Sequence, residues 1–348
     1  MLIQFLARAS ELLVLLLVHF FLTTEAVAAP LRVCATVPDL GDLAREVGGD
    51  EVTVTIFAKG TEDAHFVEPR PSFVRALADA DLYLQVGLEL EVGWAPALLK
   101  NARNANVLPG NAGYLDGGSV ITPLEIPSTP VDRSMGDVHP LGNPHYLVDP
   151  RNGLKIAAAI RDRLAGLRAE KEATFAKRYD DFAKRLGRRL VGDELAAKYD
   201  PVKLSILYEN GKLDSFLASQ KETAKLGGWL GELQPRFGIK AVSDHNLWPY
   251  FAAATGLRVV AFLEPKPGIS PTTRHLEDVI QRMRAEKIPL ILAAPYYDRR
   301  HADFVARESG AKIVRLAHQV GSREGAVTYL EMIDTNVRAI VAALGSRR

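Results

Sequence analysis

The chain has 348 residues, 47% hydrophobic, 24% charged and 7% aromatic, which excludes a disordered or collagen-like chain and suggests about two domains. Lys and Arg number 43 against 42 Asp and Glu, a net charge of +1, so no basic excess points to nucleic acid. The one cysteine, Cys34, excludes disulfide frameworks, cysteine-rich zinc sites and iron–sulfur clusters, and most of the chemistry is left to eight histidines.

Residues 12–22 read LLVLLLVHFFL. A bilayer span takes ~20 apolar residues, so this run is too short for one. Arg8 precedes it and Ala26-Val27-Ala28 follows, the layout of a signal peptide covering residues 1–28. The mature chain is expected to be exported and soluble. Arg32 and Val33 stand where a lipoprotein would carry small residues, so Cys34 is read as a buried residue of the strand LRVCATVP.

Strand-like and helix-like segments then alternate. Residues 31–37, 51–57 and 82–86 are predicted strands, with helices over 40–47, 71–78 and 92–101. The βαβα rhythm implies a parallel sheet with helical crossovers. It stops at residues 121–150, which hold six prolines. Helices follow over 153–167 and 169–190, and the second is charged with a narrow apolar stripe, as in helices that bridge two domains. Beyond Pro201 the alternation resumes. Strands are predicted at 203–208, 240–243, 257–262, 289–293 and 312–316, and helices at 248–254, 272–286, 301–309 and 325–344.

His65 sits in GTEDAHFVEPRPS after the second strand, a loop where α/β sheets place ligand groups. His139 and His145 share the rigid segment GDVHPLGNPHYLVDP. His245 and His318 each follow the end of a strand, in KAVSDHNLWPY and KIVRLAHQVG. His275 and His301 fall on polar helix faces and are assigned to solvent. Imidazole is the commonest metal ligand, so this repeated placement points to a metal.

These segments resemble those of the zinc- and manganese-type metal-binding proteins of bacterial ABC importers. EDAHFVEPRPS is similar to the family's first-ligand motif, NPHYLVDP to its second and SDHNLWPYFAAATGL to its third. The resemblance implies His65, His145 and His245 as ligands. ESGAKIVRLAHQVG resembles the fourth-ligand segment, with His318 where many relatives carry Asp. Glu264 or water are the alternatives for that position. His139 is read as a loop residue, an access-path ligand or a competitor for His145, which is preferred.

The implied fold is two α/β lobes, each a mainly parallel sheet flanked by helices, joined by one long backbone helix. The boundaries are 29–168, 169–196 for the helix, and 197–348. The implied function is periplasmic capture of a divalent transition metal by a monomer. Delivery would be to a permease with a separate ATPase. An imidazole set favours Zn2+ over Mn2+, with other transition metals as alternatives, and binding is expected to weaken as pH falls through ~6.5. Glu68, Asp137, Asp149 and Asp244 are candidates to orient the ligand rings. A zinc hydrolase is the enzyme alternative, but the sequence has no HExxH, GxSxG or GxxxxGK[ST] motif.

Overall fold

In the first lobe, β1 (Leu31–Ala35) lies between β2 (Val52–Ile56) and β3 (Leu82–Gln85), and β4 (Tyr114–Asp116) extends the sheet beyond β3. In the second, β5 (Lys240–Ser243) lies between β6 (Arg258–Phe262) and β7 (Leu290–Ala293), with β8 (Lys312–Arg315) outermost. All pairs are parallel, and the orders β2-β1-β3-β4 and β6-β5-β7-β8 are the same pattern twice. The central strands are apolar on both faces, as parallel strands covered by helices must be: Val33, Cys34 and Ala35 are buried in β1, and Leu290, Ile291 and Leu292 in β7.

This is a computed structural model that describes residues 28–131, 138–266 and 268–345. The expected signal peptide lies outside the described residues apart from Ala28. From Leu31 onward the chain forms one compact unit. Among the described residues no helix is long and apolar enough to cross a membrane.

The first lobe carries α1 (Pro38–Gly48), α2 (Pro71–Ala78) and α3 (Ala95–Ala102). Each has Pro in its first turn, where the missing N–H costs nothing. Helices α4 (Pro150–Leu167) and α5 (Glu172–Val191) follow. The span 169–196 expected as one helix is divided. A short 3-10 turn precedes α5, and Gly192, at φ 87°, ends it before α6 (Asp193–Lys198). A Cβ on Gly192 would stand 2.8 Å from the Gly227 Cα.

On α5, Phe175, Phe182, Leu186 and Leu190 form the buried stripe. Its basic face pairs Arg178 with Asp50 and Arg185 with Glu46 in the first lobe, and Arg189 with Asp334 near the C-terminus. One continuous apolar core runs through both lobes along α4 and α5, from Leu31 to Ile340.

Residues 203–208 are not a strand but part of α7 (Pro201–Glu209). Asp200 caps it through Val202 N at 2.9 Å, and Pro201 starts it. The strand-like look of KLSILY yields to these start signals. Helices α8 (Leu213–Ser219), α9 (Gly228–Leu233), α10 (Pro249–Thr255), α11 (Thr273–Ala285), α12 (Arg299–Ser309) and α13 (Tyr329–Leu344) complete the chain.

The lobes meet closely. Carboxylates of α1 accept hydrogen bonds from the far side: Asp42 from Tyr329 N at 2.7 Å and Asp39 from Val320 N at 3.4 Å. A Cβ on Gly60 would lie 2.2 Å from the Val320 carbonyl oxygen, so only glycine allows that approach.

Candidate metal centre

Four loops converge where the carboxyl ends of the two sheets face each other, and each holds its histidine with local polar bonds. In the first, one Asp63 oxygen accepts both His65 N at 3.0 Å and the His65 ring Nδ1 at 2.7 Å. Trp94 Nε1 ties this loop to the first lobe through Ala64 O at 3.0 Å. In the second, Asn143 Oδ1 accepts His145 N at 2.9 Å, and Tyr250 donates to the Asn143 carbonyl at 2.8 Å.

His245 follows β5 directly. Asp244 Oδ1 accepts His245 N at 2.8 Å, Glu264 Oε2 lies 2.5 Å from its Nδ1, and Tyr297 stacks on its ring at 5.3 Å. His318 follows β8. Asn336 brackets Ala317 with bonds of 2.7 and 2.8 Å, and the Tyr296 hydroxyl lies 2.8 Å from His318 Nδ1.

The rings gather. His145 lies 5.3 Å from His65, 6.1 Å from His245 and 4.9 Å from His318, centroid to centroid. His139 joins them, 5.1 Å from His65, with the two Nε2 atoms 3.0 Å apart. His65, His245 and His318 each have Nδ1 engaged by oxygen, so Nε2 is the nitrogen each offers inward. His318 Nε2 is buried without a hydrogen-bond partner, an unusual state for a polar atom. No three His, Cys, Asp or Glu side chains among the described residues already stand in coordinating geometry. The His65 and His139 nitrogens face each other instead.

Burial disfavours charge on these rings. It pulls His318 down to about 3 and, with the neighbouring imidazoles, His139 down to about 4, while His145 falls well below the ordinary value. His139, His145 and His318 therefore stay neutral further into acid than the ~6.5 of a free imidazole implies. Burial alone, the largest single influence, would raise the Asp63 carboxyl, but the ring and backbone bonds from His65 together with the nearby imidazoles outweigh it and lower the group.

The carboxylates that orient the rings are Asp63 and Glu264, not those expected. Glu68 is exposed. Asp149 caps α4 and binds Arg151. Asp244 binds backbone, including Ala294 N at 2.6 Å, and Asp137 lies outside the described residues. Glu264, an alternative ligand in the sequence, spends Oε2 on His245 and on Gly268 N. Asp63 had a signal in the sequence, an Asp two residues before a His, as in an Asx turn. Tyr296 and Tyr297 had only their position after a strand. His275 is not left to solvent, since its Nε2 meets Phe262 O at 3.1 Å. His301 is half-buried on α12, outside the cluster.

The model of the family described as zinc-uptake complex component A, periplasmic (ZnuA), matches residues 33–193 and 218–343. The chain belongs to this family. Its members are metal-binding solute-binding proteins of ABC importers and not enzymes, so the hydrolase alternative has no support. The chain is 25% identical to the iron-binding protein YfeA of Yersinia pestis, over 91% of this chain and 88% of that protein. It is 23% identical to the manganese-binding lipoprotein MntA of Halalkalibacterium halodurans, over 90% and 88%. A crystal structure of ZnuA superposes with a TM-score of 0.67 at 20% identity, over 91% of this chain and all of that one, a likeness that carries the fold.

Proposed function

We propose that this chain captures zinc outside the cytoplasm and delivers it to the permease of an ABC importer driven by a separate ATPase. The observation that carries the reading is the convergence of imidazoles between the lobes. Nitrogen donors suit zinc, whereas manganese favours carboxylate and carbonyl oxygen. The nearest carboxylates, Asp63 and Glu264, are already bonded to imidazole Nδ1 atoms.

His65, His145, His245 and His318 are the proposed ligands. The orphaned Nε2 of His318 supports the fourth. Such a set also accepts copper, which binds more tightly at most nitrogen sites, so selection against copper rests on its availability. The signal-like residues 1–28 are read as an export signal, and the mature protein as a monomer.

The test is metal analysis of stripped protein reloaded from a mixture of zinc, manganese and iron. One zinc per chain is expected. Zero zinc, or a preference for manganese, overturns the reading.

A further inference from the structure

Five imidazoles meet here, and a tetrahedral zinc takes four ligands. The fifth is His139. Its ring touches those of His65 and His145, and His318 touches that of His145. His245 also touches both His65 and His145, so these two rings stand at the middle of the group, and His318 is reached through His145.

His139 also lines a cavity of about 260 Å3 with Glu125, Asn143, His145, His245 and Asn246. Glu125 is fixed on that wall by Asn143 Nδ2 at 3.1 Å and Asn246 Nδ2 at 2.7 Å, so the wall carries negative charge suited to a cation. His145 and His245 are almost fully buried behind it.

His65 donates Nδ1–H to Asp63, so its Nε2 presents a lone pair, and His139 Nε2 faces it at 3.0 Å. Two nitrogens bound to one tetrahedral ion at ~2.0–2.1 Å stand about 3.3–3.4 Å apart. The pair therefore needs only a few tenths of an ångström to grip a metal together.

We propose that His139 and His65 form an outer station on the metal's path from the cavity to the buried ligands. The ion arrives on these two nitrogens. It then gives up His139 Nε2 and the two waters that completed its tetrahedron as bonds to His145, His245 and His318 form, and His65 stays bound throughout. The charge of the ion does not change, and the same exchange in reverse serves release. This inference rests on the metal-capture reading above.

A station that only speeds exchange changes both rates and leaves the equilibrium alone. The test is stopped-flow zinc association, and dissociation into a chromophoric chelator, for the wild type, His139→Ala and the control His301→Ala. In His139→Ala both rate constants should fall at least about tenfold while Kd stays within about threefold. Rates equal to wild type overturn the proposal and leave His139 a loop residue. A Kd weaker by about 100-fold, with faster dissociation, also overturns it and makes His139 a resident ligand. Circular dichroism separates misfolding from either result, and His139→Gln repeats the test should the alanine variant misfold. Failure of the wild type to bind zinc overturns the capture reading as well, whereas binding with unaltered rates in both His139 variants overturns the outer station alone.

Discussion

The Glu264 carboxylate stands 2.5 Å from His245 Nδ1, and the same oxygen accepts Gly268 N at 2.9 Å. The ring is thereby fixed in orientation and tautomer, with Nε2 turned inward. Carboxylate–histidine pairs of this kind raise the basicity of the coordinating nitrogen.

Glu264→Gln should weaken zinc binding by about 10–100-fold, because the amide holds the ring without the charge. Competition against a chromophoric chelator measures this. An unchanged affinity would detach Glu264 from the site.

His318→Ala should cost far more zinc affinity than His301→Ala, since only His318 points a buried, unpartnered nitrogen into the cluster. His318→Asp should keep binding and shift preference toward harder metals, because it supplies carboxylate oxygen. Titration with zinc and manganese reads both. Equal effects of the two alanine variants would leave the fourth position to water or another oxygen.

The pH response follows from two opposed groups of buried residues. His139, His145 and His318 have folded-state values below the ~6.5 of the unfolded chain, so the unfolded chain takes up protons first as pH falls. Their contribution to stability is present above about 6.5 and is lost as pH falls through about 4 to 3. Zinc should thus remain bound below the ~6.5 of an ordinary imidazole, and equilibrium dialysis across this range tests that.

Asp39, Glu91 and Asp244 are each pushed up to about 7, by burial above all. Their contribution is present below the ~4 of the unfolded chain and is lost as pH rises through about 7. Glu91 accepts from Thr36 Oγ1, Val86 N and Gly87 N. Glu91→Gln should flatten the fall in urea stability between about pH 5 and 8, whatever its absolute stability. A slope equal to the wild type's would remove Glu91 as its source.

Cys34 is 2% exposed, and burial raises its thiol to about 12. It should resist alkylation in the folded protein and react only on unfolding. Mass spectrometry after iodoacetamide, with and without denaturant, reads this directly. Rapid native labelling would contradict the buried strand.

Sequence pattern sufficed where burial and chemistry coincided. Most strands of both lobes are apolar or alternating runs bounded by turns, and His65, His245 and His318 stand past strand ends, where α/β sheets bind ligands. It failed where local signals competed, as at residues 203–208, whose short apolar run concealed the start of α7 at Asp200 and Pro201. The three-residue β4 is too short to carry a period. The meeting of His139 and His65 joins residues 74 apart, and no local pattern encodes it. Asp63 and Tyr296 reach their rings only through folded loops.

The bonds from Val320 to Asp39 and from Tyr329 to Asp42 bear on how the cargo leaves. Val320 lies two residues beyond His318, so the joint between the lobes and this imidazole belong to one short stretch of chain. A rotation that unseats Val320 from α1 drags His318 with it. With His318 as the proposed fourth ligand, unlatching and discharge would then be a single movement.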